Sequence, residues 1–121
     1  MMDHKRWYIP DMYWPEVTCG EQYVSHESIC VLNTGDEDAA IQLTLYYEDR
    51  EPIGPLDCQC PARRTHHIRM DKLVLPEGGH ILRGVPYAAV VESSVPITVQ
   101  YTRVDTTQPE LALMSAMAFP G

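Results

Sequence analysis

The sequence is poor in basic residues and in long apolar runs. It has nine lysines and arginines against seventeen acids, a net charge of −8 in 121 residues. That balance weighs against general nucleic-acid binding, because affinity for phosphate comes from basic side chains. The most apolar stretch, LALMSAMAF, is well short of the roughly 20 residues a membrane-spanning helix needs. No apolar leader follows MMDHKRWYIP, and there are only four cysteines. A reduced, cytoplasmic protein is therefore expected. The sequence has no G-x-S-x-G, no H-E-x-x-H and no phosphate-binding loop, which argues against an enzyme. No cofactor is implied.

What is abundant is punctuation. Ten prolines and seven glycines divide the chain into mostly strand-sized segments. A chain of this length suits a single domain, residues 1–121, and the spacing of breakers predicts an all-β sandwich or barrel. Residues 27–33 and 40–47 are both rich in strand formers. In the second, Ile41, Leu43, Leu45 and Tyr47 alternate with Gln42, Thr44 and Tyr46, the period of two that places one set on a buried face. In the first, Ile29, Cys30, Val31 and Leu32 are all apolar, which predicts cover on both faces. With Gly35 and the acidic run Asp36–Glu37–Asp38 between them, the two strands read as a hairpin at the centre of a sheet with its tip in water. A second hairpin is expected from residues 85–93 and 95–103, with Ile97, Val99 and Tyr101 facing the core. The prolines at 10 and 15 argue against a central strand in the first fifteen residues. The tryptophans there, Trp7 and Trp14, form either an aromatic lid or a stacking surface for a flat ligand. Gly20 marks a turn. Near the end, Thr107, Gln108, Pro109 and Glu110 resemble a helix-capping sequence. One helical turn near 108–112 is expected, then an extended apolar tail that either completes the sandwich or forms a subunit interface.

Chemistry concentrates in residues 61–70, PARRTHHIRM. As a strand, this segment puts Arg63, Thr65, His67 and Arg69 on one face. Such a row is either a solvated outer face or a site for an anionic or polyhydroxy ligand, since arginine presents a planar fork of donors and histidine can donate or sense pH. Cys58 and Cys60 with His66 and His67 raise a zinc reading, but structural zinc uses C-x₂₋₄-C loops, and two free thiols are the better expectation. Ser25, His26 and Glu27 in a row are no triad, because neighbouring strand residues point to opposite faces.

Three stretches in this order, SHESICVLNTGDEDAAIQLTLYYEDREPIGP, PARRTHHIR and SSVPITVQYTRVDTTQPELALMSAMAF, resemble the sensory rhodopsin transducer family. The resemblance runs from about residue 23 to residue 119. It implies an antiparallel β-sandwich of jelly-roll type and a non-enzymatic homotetramer in the cytoplasm. It also implies a regulatory role through a small-molecule ligand, with docking on a membrane photoreceptor or, less favoured, DNA binding as alternatives. Carried onto this chain, the family's polar signature points to His26, Arg63, His67, Arg69, Thr102 and Arg103 as ligand-binding candidates. Cys58 and Cys60 and the aromatic start depart from the family pattern.

Overall fold

The computed structural model describes residues 4–16, 25–107 and 112–121. The expected turn at Gly20 and most of the expected helical turn near 108–112 lie outside the described residues. Among the described residues, nine strands form two antiparallel sheets. They are β1 (Arg6–Met12), β2 (His26–Asn33), β3 (Ala39–Tyr47), β4 (Ile53–Cys60), β5 (Arg64–Arg69), β6 (Tyr87–Ser93), β7 (Thr98–Asp105), β8 (Ala112–Met117) and β9 (Phe119–Pro120), with one 3₁₀ turn at Met70–Lys72. The five-stranded sheet runs β4-β3-β6-β1-β9 and the four-stranded sheet β5-β2-β7-β8. The result is the expected jelly-roll type of β-sandwich. The tail from Ala112 is extended, as expected.

The core follows from alternation. Ala39, Ile41, Leu43 and Leu45 of β3 face Ile29 and Val31 of β2 and Val99 and Tyr101 of β7 across the space between the sheets. Burying each large aliphatic side chain stabilises the fold by roughly 1.5–3 kcal/mol. Pairing partners differ from the sequence expectation. β2 and β3 do not pair with each other: β2 lies between β5 and β7, and β3 between β4 and β6. Both strands are central, but in different sheets. The same holds for β6 and β7. Both expected hairpins are therefore arches that carry the chain from one sheet to the other.

Asn33 explains the first arch. Its buried amide nitrogen donates to the carbonyls of Glu37 (2.8 Å) and Cys60 (3.1 Å), and its oxygen accepts from the Gly35 N–H (3.0 Å). Those bonds hold the arch through its own Gly35 and Glu37 and fasten it to the end of β4 at Cys60. Consecutive strands do pair in β3–β4, whose register shifts between Leu43 and Leu45, and in β7–β8. Gly54 sits at this irregularity with φ +143°, where a Cβ would lie 2.7 Å from the Leu43 carbonyl oxygen, so only glycine fits.

Two further expectations change. β1 is a full strand between β6 and β9, and Trp7 and Trp14 are core residues. Their indole N–H groups donate to the carbonyls of Ile97 (3.1 Å) and Ser25 (2.8 Å). Pro10 is accommodated because the β1–β6 register shifts between Ile9 and Met12. β2, in turn, is not fully covered on both faces. Ile29 and Val31 are buried, whereas on the other face Ser28 is buried, Cys30 half-buried and Leu32 exposed, because among the described residues no further sheet covers the outer face of the four-stranded sheet.

Candidate functional site

The outer face of the four-stranded sheet gathers most of the polar candidates. Pairing register sets them in rows. Arg69, Ser28 and Thr102 lie across from one another on β5, β2 and β7, and His67, Cys30 and Gln100 form the next row. Adjacent strands are about 4.8 Å apart, so each row spans roughly 10 Å. His26 continues the face along β2, opposite Val104. The Cys30 thiol lies 3.8 Å from the Thr102 hydroxyl.

Arg69 is held in place by Asp71 on the 3₁₀ turn, through two parallel hydrogen bonds of 2.8 Å. Burial alone would raise the Asp71 carboxyl. The bonds and charge of Arg69, with a smaller contribution from the charge of His26, hold it below the usual carboxylate range. Arg69, Asp71 and His26 thus form one electrostatic group at the end of the face. His67 is exposed beside it.

The structure separates the other two candidates from this group. Arg63 is not on a strand. It occupies the β4–β5 turn with φ +57° and bonds Asp36 on the neighbouring arch at 3.0 Å, with its side chain 73% exposed. The expected row of Arg63 with Thr65, His67 and Arg69 is therefore broken at its first member. Arg103 points the opposite way, into the sandwich.

Arg103 leads to a second polar cluster that the sequence did not reveal. Glu27, 1% exposed, accepts hydrogen bonds from the hydroxyls of Tyr87 (2.7 Å) and Tyr101 and from the backbone N–H of Tyr13 (2.6 Å). Arg103 donates from Nε to the Tyr101 hydroxyl at 2.8 Å and stands 3.8 Å from the Glu27 carboxylate. Burial, then the Glu27 charge and hydrogen bond, push both tyrosine hydroxyls far above their ordinary value of 10.0. Tyr47 stacks on Tyr87, ring centroids 6.0 Å apart, and its buried hydroxyl has no hydrogen-bond partner among the described residues. A shallow cavity of about 300 Å³, lined by Asp11, Tyr46, Tyr47, Glu48, Pro86 and Tyr87 among others, opens beside this cluster. The cluster joins β2 and β7 of one sheet to β6 of the other and to the residue after β1.

Ser25 serves the fold. Its buried hydroxyl lies 3.0 Å from that of Thr106 and accepts from the Thr106 N–H at 2.9 Å. Cys60 is buried with its thiol donating to the Arg64 carbonyl at 3.3 Å, Cys58 is half-buried, and both are free. Nδ1 of His66 lies 2.8 Å from the Gln59 carbonyl oxygen. Among the described residues no group of three or more His, Cys, Asp or Glu is placed to hold a metal ion, and no helix is long and apolar enough to cross a membrane.

A family model described as Anabaena sensory rhodopsin transducer matches residues 2–120. The chain belongs to the sensory rhodopsin transducer family. Among solved structures, that of Thermotoga maritima 1070 superposes with a TM-score of 0.87 at 34% identity, covering 100% of this chain and 97% of the other. The Anabaena sensory rhodopsin transducer superposes with a TM-score of 0.69 at 39% identity, covering 84% of this chain and 97% of the other. No curated protein matches. The family match over residues 2–120 spans all nine strands and the residues of both polar clusters.

Proposed function

We propose that this member of the family is a non-enzymatic signalling or regulatory module, working in the cytoplasm as a homotetramer. The outer face of its four-stranded sheet binds a small anionic or polyhydroxy ligand. The observation that carries this reading is the convergence of Arg69, His67, His26 and Thr102 on a sheet face where no packing demand calls for them. Arg69 is already oriented by Asp71, so its remaining N–H donors are presented at a low cost in side-chain freedom. Histidine and hydroxyl groups within one or two strand spacings supply the additional donors that carboxylates, phosphates or sugar hydroxyls accept.

A second reading is an adaptor that docks on a membrane photoreceptor. Family membership favours it, as does the exposed acidic arch Asp36–Glu37–Asp38, which complements a basic surface. DNA binding is the least favoured, given the net charge of −8.

A thermal-shift screen against sugars, sugar acids and nucleotides tests the first reading, because a ligand that binds only the folded state raises the melting temperature with concentration. The expected result is a hit abolished by His67→Ala or Arg69→Ala and retained by Arg63→Ala. A hit untouched by the first two substitutions removes the site from this face. Absence of any hit transfers the proposal to the adaptor reading, testable by co-purification with a rhodopsin.

A further inference from the structure

The shallow cavity of about 300 Å³ beside the Glu27 cluster has a chemistry of its own. Strand pairing builds it. β6 lies between β3 and β1, so Tyr46 stands opposite Ala88, and Tyr87 has Tyr47 on one side and Met12 on the other. The register shift between Ile9 and Met12 leaves Pro10 and Asp11 out of the regular ladder, and a bulge of this kind re-aims the side chains it carries. Pro10 and Asp11 thus flank β6 on one side, and Tyr46, Tyr47 and Glu48 flank it on the other. Ala88 between them is too small to fill the space.

Three tyrosines, two prolines and two carboxylates line the cavity, and among the described residues no basic side chain does. The Asp11 side chain is 91% exposed, and Glu48 is exposed as well. Arg103 comes within 3.9 Å of Asp11 but is engaged by Tyr101 and Glu27. Glu48 forms no ion pair among the described residues.

The rings favour a cation as well. The Tyr87 hydroxyl donates to the Glu27 carboxylate at 2.7 Å, which shifts electron density into the ring. An aromatic face attracts a cation within about 6 Å of its centroid. One cation already uses such a face here: the Arg50 guanidinium stands 5.5 Å from the Tyr47 centroid, its charge met by Asp49 at 3.0 Å. The buried Tyr47 hydroxyl, unpartnered among the described residues, is an acceptor that the fold leaves unused. A net charge of −8 draws cations toward the whole molecule.

We propose that this cavity is a second binding site, separate from the outer face of the four-stranded sheet, and that it takes a small organic ammonium cation. The charged head lies against the tyrosine rings between Asp11 and Glu48. The alkyl part rests on Pro10 and Pro86. A volume of about 300 Å³ is at the small end of ligand cavities, which suits one short amine.

A backbone-amide NMR titration of the full chain with n-butylammonium chloride tests the proposal. Saturable shifts are expected at Asp11, Tyr46–Glu48 and Tyr87–Ala88. They are expected neither with 1-butanol, which keeps the alkyl chain without the charge, nor with potassium chloride, which matches the ionic strength. Asp11→Asn combined with Glu48→Gln is expected to weaken binding by about tenfold or more. Both side chains are exposed, so an unchanged melting temperature is expected to show that the loss belongs to the site and not the fold. Tyr46→Leu keeps an apolar wall without the aromatic face and is expected to weaken binding about threefold. The proposal is overturned by absence of saturable shifts, by equal shifts with 1-butanol or potassium chloride, or by a double variant that binds as wild type does. Shifts confined to residues 65–69 and 100–102 overturn it too, because they place the cation on the outer face. The anionic-ligand reading of that face stands or falls by its own screen, whichever way this titration goes.

Discussion

The Glu27 cluster gives the most demanding prediction. Glu27→Ala removes a buried acceptor from three donors, the Tyr87 and Tyr101 hydroxyls and the Tyr13 N–H. A buried donor left unpaired costs about 1–3 kcal/mol. Entry of water into the vacated space recovers part of this, so the expected loss is about 4 kcal/mol, in line with the 3–5 kcal/mol for stripping one partner from a buried charged pair. For a domain of this size, that lowers the melting temperature by roughly 12–20 °C. Glu27→Gln keeps one acceptor oxygen, and a tyrosine hydroxyl can turn to accept from its amide; the expected loss is about 1–2 kcal/mol. Urea unfolding of both variants, with a double-mutant cycle between Glu27→Gln and Tyr101→Phe, reads these values. Because the two side chains bond directly, the cycle should show a coupling of about 1 kcal/mol or more. A Glu27→Ala loss below about 1 kcal/mol, or a coupling near zero, would refute the view that this carboxylate ties the two sheets together.

Two further outcomes follow from other buried polar groups. Asn33→Ala leaves the Gly35 N–H and the Cys60 carbonyl without their partner and is expected to cost about 2–3 kcal/mol in urea unfolding. Asn33→Asp keeps the acceptor but sets a carboxylate against carbonyl oxygens, so it should be no milder; a neutral result for either would show that the arch is held by something else. The pH dependence of stability has two limbs. Tyr87 and Tyr101 have raised folded-state values, so their contribution is complete below about pH 10 and is lost as pH rises further, at about 2.7 kcal/mol per pH unit for two protons. Tyr101→Phe should remove its own share, about 1.4 kcal/mol per pH unit. Asp71 is held low, so its contribution is present above about pH 4 and is lost as pH falls through its folded value; Asp71→Asn should flatten that acid limb.

The strands themselves were legible because alternation is a local signal. Ile41, Leu43 and Leu45, and Ile97, Val99 and Tyr101, fall on the buried face that the period of two assigns them. Pairing was not legible, because a turn-forming segment of five residues reads alike whether the chain folds back beside itself or crosses to the facing sheet. The difference rests on where Asn33 sends its hydrogen bonds: to Cys60, 27 residues away, as well as to Glu37. That partner lies beyond any local window. The apolar run in β2 misled for a related reason. Leu32 is exposed on the outer face of its sheet, and only knowing which strands are neighbours reveals that none of the described strands covers it.

The polar candidates divide along the same line. His67, Arg69 and Thr102 share a face because strand parity and antiparallel pairing place them there. Arg63 leaves the row because the chain turns one residue before β5 begins, in a left-handed conformation at φ +57° that nothing about an arginine announces. Arg103 is one residue from Thr102, so by parity the two cannot serve one face. The same parity places Arg103 on the side of Tyr101 and Glu27, inside the sandwich. Glu27 was legible as lying on the face opposite to that of His26, yet a lone buried glutamate has no sequence mark. Its partners come from β6, β7 and the residue after β1, and only the folded chain brings them together. A face built by parity can be altered one strand at a time, whereas a cluster drawn from several elements of both sheets fails as a unit. Substitutions on the outer face should therefore change binding with little loss of stability, and substitutions around Glu27 should lower stability first.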